Sequence, residues 1–297
     1  MKHGAILGKQ FGLGCLGSSS PSPYARKGLV VRLVYLMCAI VSTVLTGFGR
    51  FRRDSVVVLC YHGVSLKQRE RFARQMSKIQ SRAVNLQGRL AEAVAYVSVT
   101  FDDAFANLLD NALPALEHYQ VPAIIFAVAD NLGCQPCWEM PAGHPASTEM
   151  IMTTEQLVAV SKNPLIRIGS HTLTHPDLAK IGPDRLKTEL INSKHRLEQL
   201  LGNPIEDLAL PFGSYNQEVL RIAREAGYKR IYTLDPKPAN PGYPVVGRFS
   251  TSPDVWKIEF LLTCAGAYTW LYPLRRVLRG LLSYLNDMNN DSSESFY

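Results

Sequence analysis

Between residues 54 and 252, short β-rich runs alternate with helical stretches, and this alternation most constrains how the chain can fold. The runs Val56–Cys60, Tyr96–Phe101, Ala123–Val128, Arg167–Ser170, Leu208–Leu210, Arg230–Thr233 and Val245–Phe249 are rich in Val, Ile and aromatic residues, as buried parallel strands are. Helices are expected over 66–84, 106–119, 153–161, 184–201 and 216–226. The 184–201 helix is the best marked: Pro183 sits at its first turn, Leu186, Leu190, Leu197 and Leu201 recur at helical spacing, and Gly202 stops it. Gly227 ends the 216–226 helix in the same way. Strands and helices in alternation imply a parallel α/β fold, either a barrel or a doubly wound sheet.

The chain has 297 residues, 46% of them hydrophobic and 19% charged, enough for one large domain or two small ones. That composition excludes a wholly disordered chain, a collagen-like repeat and a small disulfide scaffold. Net charge is +7, but residues 1–53 carry eight Lys/Arg and no Asp/Glu. The remainder is close to neutral. A nucleic-acid-binding core would spread positive charge over its folded surface, so no nucleic-acid partner is expected; the basic segment points to a membrane or targeting role.

The ends divide by composition. Residues 1–28, with Gly17-Ser18-Ser19-Ser20-Pro21-Ser22-Pro23, read as a disordered basic arm. Residues 29–53 read as an apolar, membrane-associated helix. Its uncharged run, Leu33 to Phe48, is flanked by Arg26, Lys27 and Arg32 on one side and Arg50, Arg52 and Arg53 on the other. A signal anchor, an interfacial helix and a packed core helix all fit this segment. Residues 54–252 read as one domain, which holds the strand and helix alternation, and 253–282 as a helical extension. In that extension Arg275, Arg276 and Arg279 can share one helix face and Leu274, Val277, Leu278 and Leu281 another. Residues 283–297 form a polar tail. Cys38 and Cys60 read as buried free thiols, and Cys134-Gln-Pro-Cys137, with no second CxxC to complete a zinc site, as a surface loop.

The polar outliers gather where the strands end. Strand 96–101 runs into Asp102-Asp103, strand 167–170 into His171-Thr172-Leu173-Thr174-His175, strand 208–210 into Pro211-Phe212-Gly213, and strand 56–60 into Tyr61-His62. In a parallel barrel these share the C-terminal rim, where active sites are built. Adjacent carboxylates in one partly buried site ionise together only if a cation is present. Two histidines four apart, with a carboxylate from another strand, supply a His-His-Asp ligand set that leaves positions open on a divalent metal. The other carboxylate is then free to act as general base. Pro176 disfavours a helix at His175 and so favours a loop.

Thr100-Phe101-Asp102-Asp103-Ala104-Phe105, His171-Thr172-Leu173-Thr174-His175 and Leu208-Ala209-Leu210-Pro211-Phe212-Gly213-Ser214-Tyr215 resemble, in order and spacing, the first three motifs of the polysaccharide deacetylases, the NodB-homology carbohydrate esterases. The resemblance covers about residues 55–250. It implies a distorted (β/α)7-type barrel and metal-dependent removal of an acetyl group from a glycan, usually N-acetyl from a hexosamine polymer. By resemblance, Asp103, His171 and His175 are the metal ligands, with zinc expected, and Asp102 is the catalytic base. Pro211, Phe212, Gly213 and Tyr215 belong to the oxyanion and substrate side, with a backbone N–H near Phe212 as oxyanion donor.

Three positions depart from the family pattern. Ala104 stands where the first motif has glycine, which places a side chain on backbone that needs positive φ. Ala209 stands where many members have the arginine that holds the base; Arg248 resembles the arginine of a divergent branch and is expected to replace it. No histidine follows His195, so the family's late general acid is missing and His62 is the expected substitute. A non-catalytic carbohydrate-binding or assembly protein of the same fold, and a small-amide hydrolase, are the competing readings. An acetylated glycan and a membrane surface are the expected partners, and the sequence identifies no protein partner.

Overall fold

The computed structural model describes residues 29–45, 55–86, 96–140, 144–240 and 242–273. The basic arm over 1–28, the tail over 283–297 and the basic face with Arg275, Arg276 and Arg279 lie outside the described residues. In chain order the main elements are α1 (Leu29–Leu45), β1 (Val56–Tyr61), α2 (Arg69–Ile79), β2 (Tyr96–Phe101), α3 (Asn107–Asn111), α4 (Leu113–His118), β3 (Ala123–Ala127) and α5 (Thr154–Ser161). Then follow β4 (Ile166–Ser170), α6 (Pro183–Leu201), β5 (Asp207–Ala209), α7 (Gln217–Glu225), β6 (Arg230–Tyr232), β7 (Val245–Val246), β8 (Phe249–Ser250) and α8 (Lys257–Cys264).

Every strand pair is parallel, in the order β7-β6-β5-β4-β3-β2-β1-β8. β7 and β8 are two halves of one segment, 245–250, interrupted at Gly247 and Arg248. One half pairs with β6 and the other with β1, so a single broken strand joins the two edges of the sheet. This is the distorted (β/α) barrel expected from the sequence, with the expected seventh strand split in two. Gly247 makes the split possible: a Cβ there would stand 2.5 Å from the Lys237 carbonyl oxygen and 2.6 Å from that of Asp235.

Alternation along the strands separates two packed layers. Val56 and Val58 join Ile124, Phe126, Ala209, Tyr232 and Val246 inside the barrel. Val57, Leu59 and Tyr61 face the helices, where Phe72, Met76 and Ile79 form the buried stripe of α2. The 106–119 helix is instead two short helices that meet at Ala112. Pro114 lacks an N–H and its ring clashes with the carbonyl four residues back, which breaks the helix there. Gly202 caps α6 at φ 68° as the sequence requires. Cys60 and Cys264 are buried, whereas Cys38, expected inside, is exposed because it lies on the side of α1 turned away from the domain.

Candidate metal centre

Each acidic or imidazole group at the rim is aimed by backbone that leaves its strand abruptly. Past β2 the Asp102 N–H donates to the Tyr61 carbonyl at 2.9 Å, and the chain then turns through left-handed backbone at Asp103 (φ 69°) and Ala104 (φ 52°). Ala104 thus adopts the conformation for which the family motif uses glycine, with the strain that this implies. Past β4, Thr172 (φ 69°) and His175 (φ 63°) are left-handed as well. Glu189 of α6 braces this loop: its carboxylate accepts from the Leu173 and Thr174 N–H groups at 3.0 and 2.9 Å and from the Thr174 hydroxyl at 2.5 Å. His175 N–H donates to Thr172 Oγ1 at 3.0 Å.

The turns bring three donor atoms together. Asp103 Oδ1 lies 3.6 Å from His171 Nε2 and 3.6 Å from His175 Nε2. Asp103, His171 and His175 are all buried, and one ligand atom of each lies within 4.8 Å of the others. His171 Nδ1 sits 2.9 Å from the Ala209 carbonyl, which fixes the proton there and leaves Nε2 with a free lone pair. Asp103 Oδ1 and His175 Nδ1 are buried without a hydrogen-bond partner. Burial raises the Asp103 carboxyl above its usual range, with the charge of His62 opposing. Burial, assisted by His171, pushes the His175 imidazole down to about 2. A buried carboxylate oxygen with no hydrogen-bond donor, facing the Nε2 atoms of two imidazoles, costs free energy unless a cation completes the set. The donor set therefore fits a divalent metal with open positions.

Asp102 is held differently. Arg248, fully buried, donates to both its oxygens, at 2.6 and 2.9 Å, and also to Thr100 Oγ1 and the Thr233 carbonyl. Its guanidinium lies 5.4 Å from the Phe126 ring centroid. Burial works against ionisation of Asp102, but the Arg248 charge and hydrogen bonds together with His171 outweigh it and hold the carboxyl well below its usual range. The arginine that holds Asp102 thus comes from the closing segment 245–250 and not from position 209.

Phe212 (φ 58°) is exposed at the crest of the 3₁₀ turn Pro211–Gly213, with its ring edge-on to His175 at 4.9 Å. Tyr215 donates to Asp235 Oδ2 at 2.6 Å. His62 is exposed at the end of β1, near enough for its charge to act on Asp102, Asp103 and His175.

Sequence reasoning missed four contributors. Glu189 carries no signal in its motif-free helix. Asp235 reads as a loop residue. Cys60, whose thiol is 3.3 Å from Asp102 Oδ2, reads as core. Trp138 stacks on His175 with ring centroids 4.2 Å apart and 24° between planes. It lies in the long connection between β3 and α5, and connections of that length usually serve a function.

Residues 91–231 match the family model of the polysaccharide deacetylases. YxkH of Bacillus subtilis (strain 168), named as a polysaccharide deacetylase, is 27% identical over 144 residues, which cover 48% of this chain and 46% of YxkH. The poly-beta-1,6-N-acetyl-D-glucosamine N-deacetylase of Staphylococcus aureus (strain MRSA252) is 23% identical over 153 residues, covering 49% of this chain and 50% of that protein. The chain thus spans about half the length of the curated relatives it matches. The structure of IcaB from Ammonifex degensii superposes with a TM-score of 0.61 at 25% identity, over 73% of this chain and 98% of that one. Residues 91–231 thus match the polysaccharide deacetylases in sequence, and the chain shares the fold of a solved structure similar to it.

Proposed function

We propose that the protein is a metal-dependent deacetylase that hydrolyses the N-acetyl group of an acetylated hexosamine polymer, in cell-envelope or exopolysaccharide metabolism. The observation that carries this reading is the convergence of Asp103, His171 and His175 beside an Asp102 locked by Arg248. The family match and the activity named for the Staphylococcus aureus relative support the substrate class.

Asp103, His171 and His175 hold the cation, which we assign as zinc. When bound, such an ion supplies Lewis acidity and lowers the pKa of water at its open position. Asp102, kept ionised and oriented by Arg248, takes the proton as water oxygen attacks the acetyl carbonyl carbon. The N–H at Phe212, in the first turn of a 3₁₀ segment and so without an acceptor inside it, donates to the developing oxyanion. As the carbon–nitrogen bond breaks, His62 gives its proton to the leaving amine, and acetate and a free amino sugar result. Tyr215, fixed by Asp235, and the exposed Phe212 ring contact the sugar. We further propose that residues 29–53 attach the protein to a membrane surface.

The test is acetate release from N-acetylglucosamine oligomers by the full chain. Chelation is expected to abolish it and a divalent metal to restore it. Asp102→Asn keeps its metal but loses about 10³-fold in kcat. If that variant turns over like the parent, Asp102 is not the base. His62→Ala lowers kcat at unchanged metal content, and metal loss in that variant would make His62 a ligand instead.

A further inference from the structure

α1 is built with its polarity inverted. A helix on the surface of a water-exposed protein turns its apolar stripe to the core and its polar side outward. Here the groups turned to the domain are Arg32, Tyr35, Ala39 and Thr43: Arg32 donates from Nε to Glu259 of α8 at 2.6 Å and stacks 3.9 Å from the Trp256 ring, Tyr35 packs on Trp270 at 5.7 Å, and Ala39 is fully buried. The opposite face, at helical spacing, is Val30, Leu33, Val34, Met37, Val41 and Val44, all exposed, with Val30 at 74% and Met37 at 65%. Trp256 and Ile258, around the start of α8, are exposed as well.

We infer that α1 lies in the plane of an anionic lipid bilayer with this outer face immersed, while Arg32 and Tyr35 keep it clipped to the barrel. This rests on the membrane attachment proposed above and specifies its geometry. Three observations select the occupant. Over its described residues the helix runs 17 residues, about 25 Å, and among the described residues no helix is long and apolar enough to cross a membrane. Its part-buried ion pair with Glu259 would have to break for the helix to stand upright away from the domain. The first 53 residues carry eight basic and no acidic side chains, so the sequence around an apolar face complements negative headgroups. A second copy of the chain is the lesser candidate, because a strip about 25 Å by 10 Å falls well below the roughly 800 Å² that each partner of a stable dimer buries.

The experiment floats the full chain with vesicles of equal parts phosphatidylglycerol and phosphatidylcholine. Binding is expected, with M37E/V41E at least about tenfold weaker. Carbonate at pH 11 is expected to release the bound protein, and α1 and α8 to keep the same hydrogen-exchange protection bound as free. Failure to float, binding by M37E/V41E equal to the parent, retention after carbonate, or loss of α8 protection on binding would each overturn the inference. So would a dimer that M37E/V41E converts to monomer. Acetate release from soluble oligomers, run alongside, is expected to be the same in both proteins; its absence while vesicle binding persists would sink the enzymatic reading alone.

Discussion

The barrel interior contains two buried aspartate–arginine groups, one near each end, and they are finished differently. At the amino-terminal end, Asp207 opens β5 beside its register partner Arg230. Its carboxylate accepts from Arg230 at 2.5 and 3.1 Å, from Arg167 at 3.3 Å and from the Tyr232 hydroxyl at 3.1 Å. Both oxygens are fully engaged. At the carboxyl end Arg248 satisfies Asp102 just as completely, yet the neighbouring Asp103 Oδ1 and His175 Nδ1 have no partner. A closed network stabilises one conformation; an open one beside it leaves coordination to be supplied from outside. At each end a buried aspartate is paired with arginine. What marks the rim as chemical is the unsatisfied remainder.

Substitutions at four positions break or sharpen this contrast. His171→Ala removes a ligand at the open end; acetate release is expected to fall on the order of 10³-fold and metal stoichiometry, read by elemental analysis, to collapse. Asp207→Ala leaves two guanidinium groups facing each other at the closed end. It is expected to cost about 3–5 kcal/mol in urea denaturation while kcat per folded molecule stays at the parent value. A large kcat loss in a folded Asp207→Ala protein would erase the distinction. Gly247→Ala forces a Cβ against two carbonyl oxygens beside Arg248 and is expected to cost about 1–3 kcal/mol, with kcat reduced at unchanged metal content. Trp138→Ala unstacks His175, whose Nδ1 has no hydrogen bond to fix its ring. Zinc affinity by competition titration is expected to weaken about tenfold, and Trp138→Phe to recover most of it.

What was legible followed from locality. Asp102, Asp103, His171 and His175 sit one or a few residues past strands that their own apolar runs declare, so motif and placement could be read together. Arg248 was legible because it lies within the β-rich run 245–249 and because Ala209 stands at the alternative position. Glu189, Trp138, Cys60 and Asp235 act through contacts to residues 15 to 42 positions away, set only once helices and loops dock, and nothing in their local sequence encodes those contacts. The split of the last strand was hidden for the same reason: Val245–Phe249 reads as one β run, and only its pairing with two different neighbours cuts it. The orientation of α1 escaped because apolar residues cover most of its circumference, so a pattern of hydrophobicity alone does not say which side docks.

The segment 245–250 has one more consequence. It is at once the seam that zips β6 to β1 and the carrier of the guanidinium that steadies Asp102. Assembly and competence are therefore the same event. A chain whose seam has not closed possesses Asp103, His171 and His175, but its Asp102 lacks the guanidinium that aligns it.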